Sequence, residues 1–93
     1  MAEPFDQETA KKHVLAILEG PGMTVFTKRA KEKFMKHDMT SADAVNVLRG
    51  GRIGKGVASE SGFTYRAETG RMGVEFSFRP NELVILGAWR TRR

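Results

Sequence analysis

Residues 62–90, GFTYRAETGRMGVEFSFRPNELVILGAWR, contain three strand-like runs separated by turn signals at Thr69-Gly70 and Pro80-Asn81. In the first two runs every second residue is apolar: Phe63, Tyr65, Ala67, Met72, Val74, Phe76 and Phe78. The positions between them hold charged residues: Arg66, Glu68, Arg71, Glu75 and Arg79. This period of two predicts strands with one buried and one polar face. The third run, residues 83–86, is apolar throughout, which is typical of a strand buried on both sides. We therefore predict a three-stranded antiparallel meander whose last strand lies deepest.

The sequence before this meander predicts three short helices. Each begins at a residue that can cap a helix, namely Asp6, Thr27 and Thr40. They are expected to end near residue 19, near residues 37–38 and at Gly50-Gly51, where proline, glycine or a polar pair interrupts the apolar stripe.

Two further strands are predicted outside the meander. The β-branched and aromatic run at residues 23–27 indicates an early strand, and the glycine-rich run RIGKGVA at residues 52–58 indicates a weak one. This order predicts one α+β domain over residues 1–93, with the helices on one face of a small mixed or antiparallel sheet. We expect the C-terminal strand to be central and to pair in parallel with the early strand.

The composition of the 93-residue chain excludes several kinds of site. It has no cysteine, which excludes disulfides and thiolate metal sites, and its two histidines lie far apart, which argues against a zinc site. We therefore expect no metal and no cofactor. The first twelve residues lack the apolar segment of a signal peptide, and no apolar run is long enough to cross a bilayer. These features predict a cytoplasmic protein with no membrane partner.

The net charge of +5 is confined to the second half of the chain. Residues 1–48 hold seven basic and seven acidic side chains, whereas residues 49–93 hold nine basic and four acidic ones. Eight of those nine are arginines, whose planar guanidinium binds phosphate bidentately and stacks on bases. This pattern favours nucleic acid as the partner, the alternative being that arginine only solubilises the sheet. The candidate nucleic-acid-binding residues are Arg52, Arg71, Arg79, Lys28 and Arg29.

Cationic and phenolic groups on a sheet can cleave RNA without a metal ion. The reaction needs a base for the 2′-hydroxyl proton, positive charge at the transition state, and a proton donor to the leaving 5′-oxygen. Two aromatic residues of the meander have structural alternatives. Tyr65 alternates with the apolar residues Phe63 and Ala67, which favours a core position with its hydroxyl at the rim. For Trp89 we also favour a position in the core over a role as a base-stacking platform.

A loose pattern of motifs runs through VFTKRAKEKFMKHDMTSADAVNVLRGG, residues 25–51, and FTYRAETGRMGVEFSFRPNELVILGAW, residues 63–89. It comprises F-T followed by two basic residues and alanine, a T-x-x-D helix start, a glycine-rich weak strand, and a terminal V-I-L strand that ends in an aromatic residue and a cation. In this organisation the chain resembles, over roughly residues 10–91, the RelE-like superfamily of bacterial toxins. It is most similar in element order to the motility quorum-sensing regulator toxin family and to related small RelE-like domains of unknown function.

The resemblance implies a ribonuclease that cuts mRNA, free or on the ribosome, and is held inactive by a cognate antitoxin. RNA or the ribosome, and an antitoxin or other protein, are then the implied partners. Matched positions imply a catalytic lysine at Lys55 and a terminal-strand cation at Arg90, with Tyr65 and Arg66 on the strand that lines the active face. The next strand departs from the family pattern, because residues 72–78 hold no tyrosine.

Three functions follow as expectations. The first is a toxin-like, metal-independent endoribonuclease, an mRNA interferase, with Lys55, Tyr65, Arg66 and Arg90 as its catalytic residues. The second is a non-catalytic regulatory module of the same fold that binds nucleic acid or protein through the basic face, and the missing tyrosine favours it. The third is a protein-interaction domain that binds an acidic partner strand at a sheet edge.

Overall fold

The computed structural model describes residues 3–60 and 62–90, in which three helices accompany a six-stranded mixed sheet. The predicted α+β class is confirmed. Arg92 and Arg93, which contribute to the charge excess, lie outside the described residues, as does Ser61 of the loop before the meander. Within the described ranges, no helix combines the length and the apolar character needed to cross a bilayer.

The three helices begin at the predicted capping residues. Helix α1, Gln7–Glu19, is capped by Asp6, which accepts a 2.8 Å hydrogen bond from the Thr9 N–H. The hydrogen bonds from Thr9 hold the pKa of Asp6 below its ordinary value. Helix α2, Lys28–Lys36, is capped by Thr27, and helix α3, Ser41–Gly50, begins with a complete capping box between Thr40 and Asp43.

The strands are β1 Met23–Phe26, β2 Arg52–Ile53, β3 Val57–Ser59, β4 Gly62–Glu68, β5 Met72–Arg79 and β6 Glu82–Arg90. Their order in the sheet is β1-β6-β5-β4-β2, and β3 also pairs with β4. The predicted meander β4–β5–β6 is antiparallel throughout, and β1 pairs with β6 in parallel, as predicted. Strand β6 lies inside the sheet between β1 and β5, although β5 is the middle strand.

The hydrophobic core lies between the helices and one face of the sheet. Alternate sheet residues contribute Tyr65, Phe76, Leu83 and Ile85, all essentially without solvent exposure. From the helices come Ala10, Val14, Ala30, Phe34, Ala44, Val47 and Leu48. Val84 is also buried but lies outside this cluster, because it points to the opposite face of β6. Residues 83–85 are buried, as predicted for this run, whereas Leu86, its last residue, is only half-buried.

A lysine of α1 joins the helical layer to the end of α3. The ammonium of Lys11 donates to the carbonyls of Leu48 and Gly51, at 2.9 and 3.0 Å. Burial lowers the pKa of this lysine. Because the last carbonyls of a helix lack partners within the helix, Lys11 stabilises the point at which α3 ends and β2 begins.

Candidate nucleic-acid interface

The sheet face opposite the helices carries the polar side chains of the meander. We call it the open face. The strand register places Glu68 opposite Gly73, Arg66 opposite Glu75, and Gly73 opposite Trp89. On β2, Arg52 pairs with Glu68. Four strands therefore bring charged and aromatic side chains from distant parts of the sequence onto one surface.

A shallow depression of about 340 Å³ lies on this face, and we call it the cationic groove. Its lining residues are Arg52, Gly54, Lys55, Val57, Thr64, Arg66, Glu68 and Glu75. Two of the predicted catalytic residues, Lys55 and Arg66, thus line one groove together with the predicted RNA-binding residue Arg52. All three cations are solvent-exposed.

An interruption of the edge strand places Lys55 in the groove. The single weak strand predicted at residues 52–58 is instead two short strands, β2 and β3, which pair with different parts of β4. Between them, the Gly54 N–H bonds to the Arg66 carbonyl at 2.9 Å. Gly56 packs against the ring of Tyr65, where a Cβ atom would come within 2.8 Å of that ring. Glycine thus permits the irregular path that keeps Lys55 beside the edge of β4, at the groove.

Trp89 and Arg66 form a cation–π pair beside the groove. The indole lies directly over Gly73, so closely that any side chain at residue 73 would collide with it. The Arg66 guanidinium carbon lies 5.4 Å from the centre of the indole ring, within the range of a cation–π contact. Trp89 is half-buried and lies on the open face, so the predicted core position is wrong. The core prediction failed because a β-bulge in the β5–β6 pairing skips Leu86 and reverses the face to which the following residues of β6 point.

A second depression, of about 480 Å³, adjoins the cationic groove through shared lining residues Thr64 and Glu75. Its other lining residues are Thr27, Arg29, Ser59, Glu60 and Leu86. Arg29, a predicted RNA-binding residue, therefore extends the surface toward the start of α2. The two depressions therefore lie next to each other on the open face.

Tyr65 lies on the same strand as Arg66 but points to the other face of the sheet. It is only 1% exposed, and its hydroxyl accepts a 3.0 Å bond from the Phe5 N–H and donates a 2.7 Å bond to the Glu3 carboxylate. Burial raises the pKa of Tyr65 to about 12. The structure therefore places this predicted catalytic residue in the core, fastened to the N-terminal segment, and we remove it from the candidate site.

Arg90 is likewise separated from the groove. It lies opposite Met72, on the helix-facing side of β6, and its guanidinium donates to the carbonyls of His37 and Asp38, at 2.9 and 2.8 Å. These carbonyls belong to the end of α2, so Arg90 holds that helix end against the sheet. We remove Arg90 from the candidate site as well.

The other predicted RNA-binding residues lie at the margins. Arg71 is in the turn between β4 and β5, and Lys28 is the first residue of α2. Arg79 ends β5 and borders a different cavity, beside Phe5 and His13. All three cations are exposed, but none lines either of the two depressions on the open face.

Two groove residues that sequence reasoning did not assign to a site are carboxylates. The alternation placed Glu68 and Glu75 on the polar face, but only the strand register shows that both border Arg66 and Lys55. Neither forms an ion pair within the described ranges, where the ion pairs join Arg49 to Glu19 and Arg90 to Asp43. Over the same ranges, no group of three or more histidine, aspartate and glutamate side chains could hold a metal ion.

No protein-family model, curated protein or solved structure matches this chain. The resemblance to RelE-like toxins therefore remains a hypothesis that rests on the sequence motifs.

Proposed function

We propose that the protein binds single-stranded RNA along the open face as a non-catalytic module. The observation that carries the proposal is the Arg66–Trp89 pair beside the cationic groove. A planar guanidinium held over an indole offers a flat surface to an unpaired base, and the neighbouring Arg52 and Lys55 offer positive charge to the phosphates on either side. Stacking and phosphate binding are the two interactions that proteins use to hold single strands.

The shape of the surface favours a single strand over a duplex. Bases of a double helix are stacked on one another, and an A-form duplex exposes mainly its phosphates and 2′-hydroxyls. A planar group on a sheet, here the Arg66 guanidinium over the indole, can stack only on bases that are unpaired. The position of Tyr65 and Arg90 away from the groove supports binding over cleavage, since only Lys55 and Arg66 of the four predicted catalytic residues remain there.

Fluorescence anisotropy with an unstructured RNA decamer tests the proposal. We expect affinity to fall steeply with salt, and Arg66→Ala to weaken binding roughly tenfold because it removes both stacking and charge. Arg71→Ala is the matched control, since it removes an exposed arginine outside the depressions and is expected to change affinity less than twofold. Absence of binding at low salt, or equal affinity for the same sequence as a duplex, would refute the proposal.

A metal-independent endoribonuclease is the second candidate function. The observation that favours it is that Lys55 and Arg66 share the groove with two carboxylates, so that a base and cations lie on one surface. It predicts cleaved RNA, free or on ribosomes, and growth arrest on expression that a cognate antitoxin relieves. If the wild-type protein and the Lys55→Ala/Arg66→Ala variant both leave RNA intact and both permit normal growth, this candidate fails and the binding module stands.

A further inference from the structure

Glu75 is a carboxylate that faces the proposed RNA path along the two depressions, and within residues 3–60 and 62–90 it forms no ion pair. It lies directly opposite Arg66 in the β4–β5 register, at the distance where opposite charges usually pair. The Arg66 guanidinium instead lies over Trp89, and the Glu75 Oε1 atom lies over Gly87 of β6, 3.8 Å from the position of a Cβ there. The carboxylate is therefore left with its oxygens available to a ligand.

The position of Glu75 is central to the proposed path. It is half-buried, and it lines both depressions of the open face. A base stacked on the Arg66–Trp89 pair would lie next to it, because Arg66 is its cross-strand neighbour. The Glu75 carboxylate would therefore lie within reach of the edge of that base.

A carboxylate in such a place selects against phosphate and for hydrogen-bond donors. An ionised glutamate only accepts hydrogen bonds, and it repels the backbone phosphates of RNA. Its natural partners are the N–H groups on base edges. Guanine presents two adjacent donors, N1–H and the N2 amino group, that fit the two carboxylate oxygens in parallel. Adenine, cytosine and uracil each place an acceptor beside their donor on that edge, which the second oxygen would repel.

We infer that Glu75 makes the open face selective for guanine in single-stranded RNA, by accepting two hydrogen bonds from the Watson–Crick edge of a base stacked on Arg66 and Trp89. The inference rests on the proposed RNA-binding function and adds a base preference to it.

The test compares uridine decamers that carry one central guanosine, adenosine or inosine. Adenine stacks about as well as guanine, so the comparison isolates the edge contacts. We expect the guanosine decamer to bind roughly tenfold tighter than the adenosine one, since a bidentate pair discriminates by about that factor. Inosine keeps N1–H but lacks the amino group, and its decamer should bind with intermediate affinity.

Glu75→Gln is the decisive variant because it conserves shape and removes the second acceptor. We expect its affinities for the guanosine and adenosine decamers to agree within twofold. Glu32→Gln, at an exposed carboxylate of α2 that lines neither depression, is the matched control and should keep the guanosine preference.

The outcomes separate the inference from the function on which it rests. Salt-dependent binding with equal affinity for guanosine and adenosine decamers would overturn the inference and leave the RNA-binding proposal standing. A guanosine preference that survives in Glu75→Gln would overturn it too. If no decamer binds, both fail. The inosine comparison uses the wild-type protein, so it holds even if a variant misfolds.

Discussion

The indole of Trp89 occupies the space that a side chain of Gly73 would otherwise fill on the neighbouring strand. A glycine weakens a strand because it has no side chain to pack, and a cross-strand aromatic ring can compensate by covering its backbone. Here the covering ring also supports Arg66, which extends from the next strand over the same ring. The pair Trp89–Gly73 therefore links the stability of the sheet to the shape of the candidate RNA-binding surface.

Replacing Gly73 with alanine tests this link. The added methyl group must push the indole away from β5, which should destabilise the protein by about 1–3 kcal/mol and separate Trp89 from Arg66. The emission of Trp89, the single tryptophan, reports the change directly, with a red shift as the ring becomes more exposed. Urea denaturation measures the free energy of unfolding. Gly70→Ala is the control, because a Cβ built at Gly70 comes within 4 Å of no described residue other than its two chain neighbours.

Tyr65→Phe should reduce stability and leave RNA binding unchanged. The hydroxyl bonds Phe5 and Glu3 on the side of the sheet away from the groove, and its loss is expected to cost about 1 kcal/mol. Burial raises the pKa of Tyr65 to about 12, above its ordinary value of 10.0. The neutral phenol therefore stabilises the folded state fully below pH 10, and this contribution is lost as the pH rises toward 12.

The pH dependence can be isolated by subtraction. The difference in unfolding free energy between wild type and Tyr65→Phe should shrink between pH 10 and 12, whereas effects of lysine titration cancel because both proteins share those groups. If Tyr65→Phe has wild-type stability but binds or cleaves RNA less well, Tyr65 belongs to the functional site.

Arg90→Ala should act on stability and not on RNA affinity. It removes two hydrogen bonds from a cation to the carbonyls at the end of α2, and the partly exposed position limits the expected loss to about 1 kcal/mol. Thermal denaturation and decamer binding measured on the same preparation separate the two effects. Arg79→Ala, also an arginine at a strand end, serves as the comparison. Lower RNA affinity at unchanged stability would contradict the structural role.

Lys11→Met should destabilise the junction between α3 and β2. The ammonium satisfies the carbonyls of Leu48 and Gly51, which have no partner within the helix, and its removal is expected to cost about 1–2 kcal/mol. Hydrogen exchange would show the loss locally, at amides near the end of α3. Lys12→Met removes an exposed lysine from the next position and should have little effect. Equal exchange rates in the two variants would mean that Lys11 contributes no stability at this junction.

The local signals in the sequence predicted most of the fold. Helix starts at Asp6, Thr27 and Thr40 follow from short-range hydrogen bonds that any such sequence can form, and the structure contains all three. The alternation in β4 and β5 assigned each side chain to the correct face, because the period of a strand is fixed by its backbone. The break between β2 and β3 was missed, since it depends on how Gly56 packs against Tyr65.

The candidate site was less predictable because it depends on which strands are neighbours. Lys55, Arg66 and Arg52 were predicted and do share a groove. The family resemblance that implied Lys55 and Arg66 also implied Tyr65 and Arg90, yet the same alternation that puts Arg66 on the open face puts Tyr65 on the other. For Arg90, the strand register places it on the helix-facing side. The opposition of Glu75 to Arg66, and of Trp89 to Gly73, follows from that register, which a single sequence does not specify.

Arg29→Ala tests how far the proposed RNA path extends. Arg29 lines the second depression, which adjoins the cationic groove at Thr64 and Glu75, so an RNA long enough to span both should contact it. We expect the variant to bind a decamer several-fold more weakly and the slope of log affinity against log salt to fall by about one, the value for one lost phosphate contact. A mononucleotide, which is too short to contact both depressions, should bind wild type and variant equally. Arg71→Ala, of the same charge but outside both depressions, should leave slope and affinity unchanged. Equal losses of affinity in Arg29→Ala and Arg71→Ala would mean that RNA affinity depends on net charge and that RNA follows no defined path.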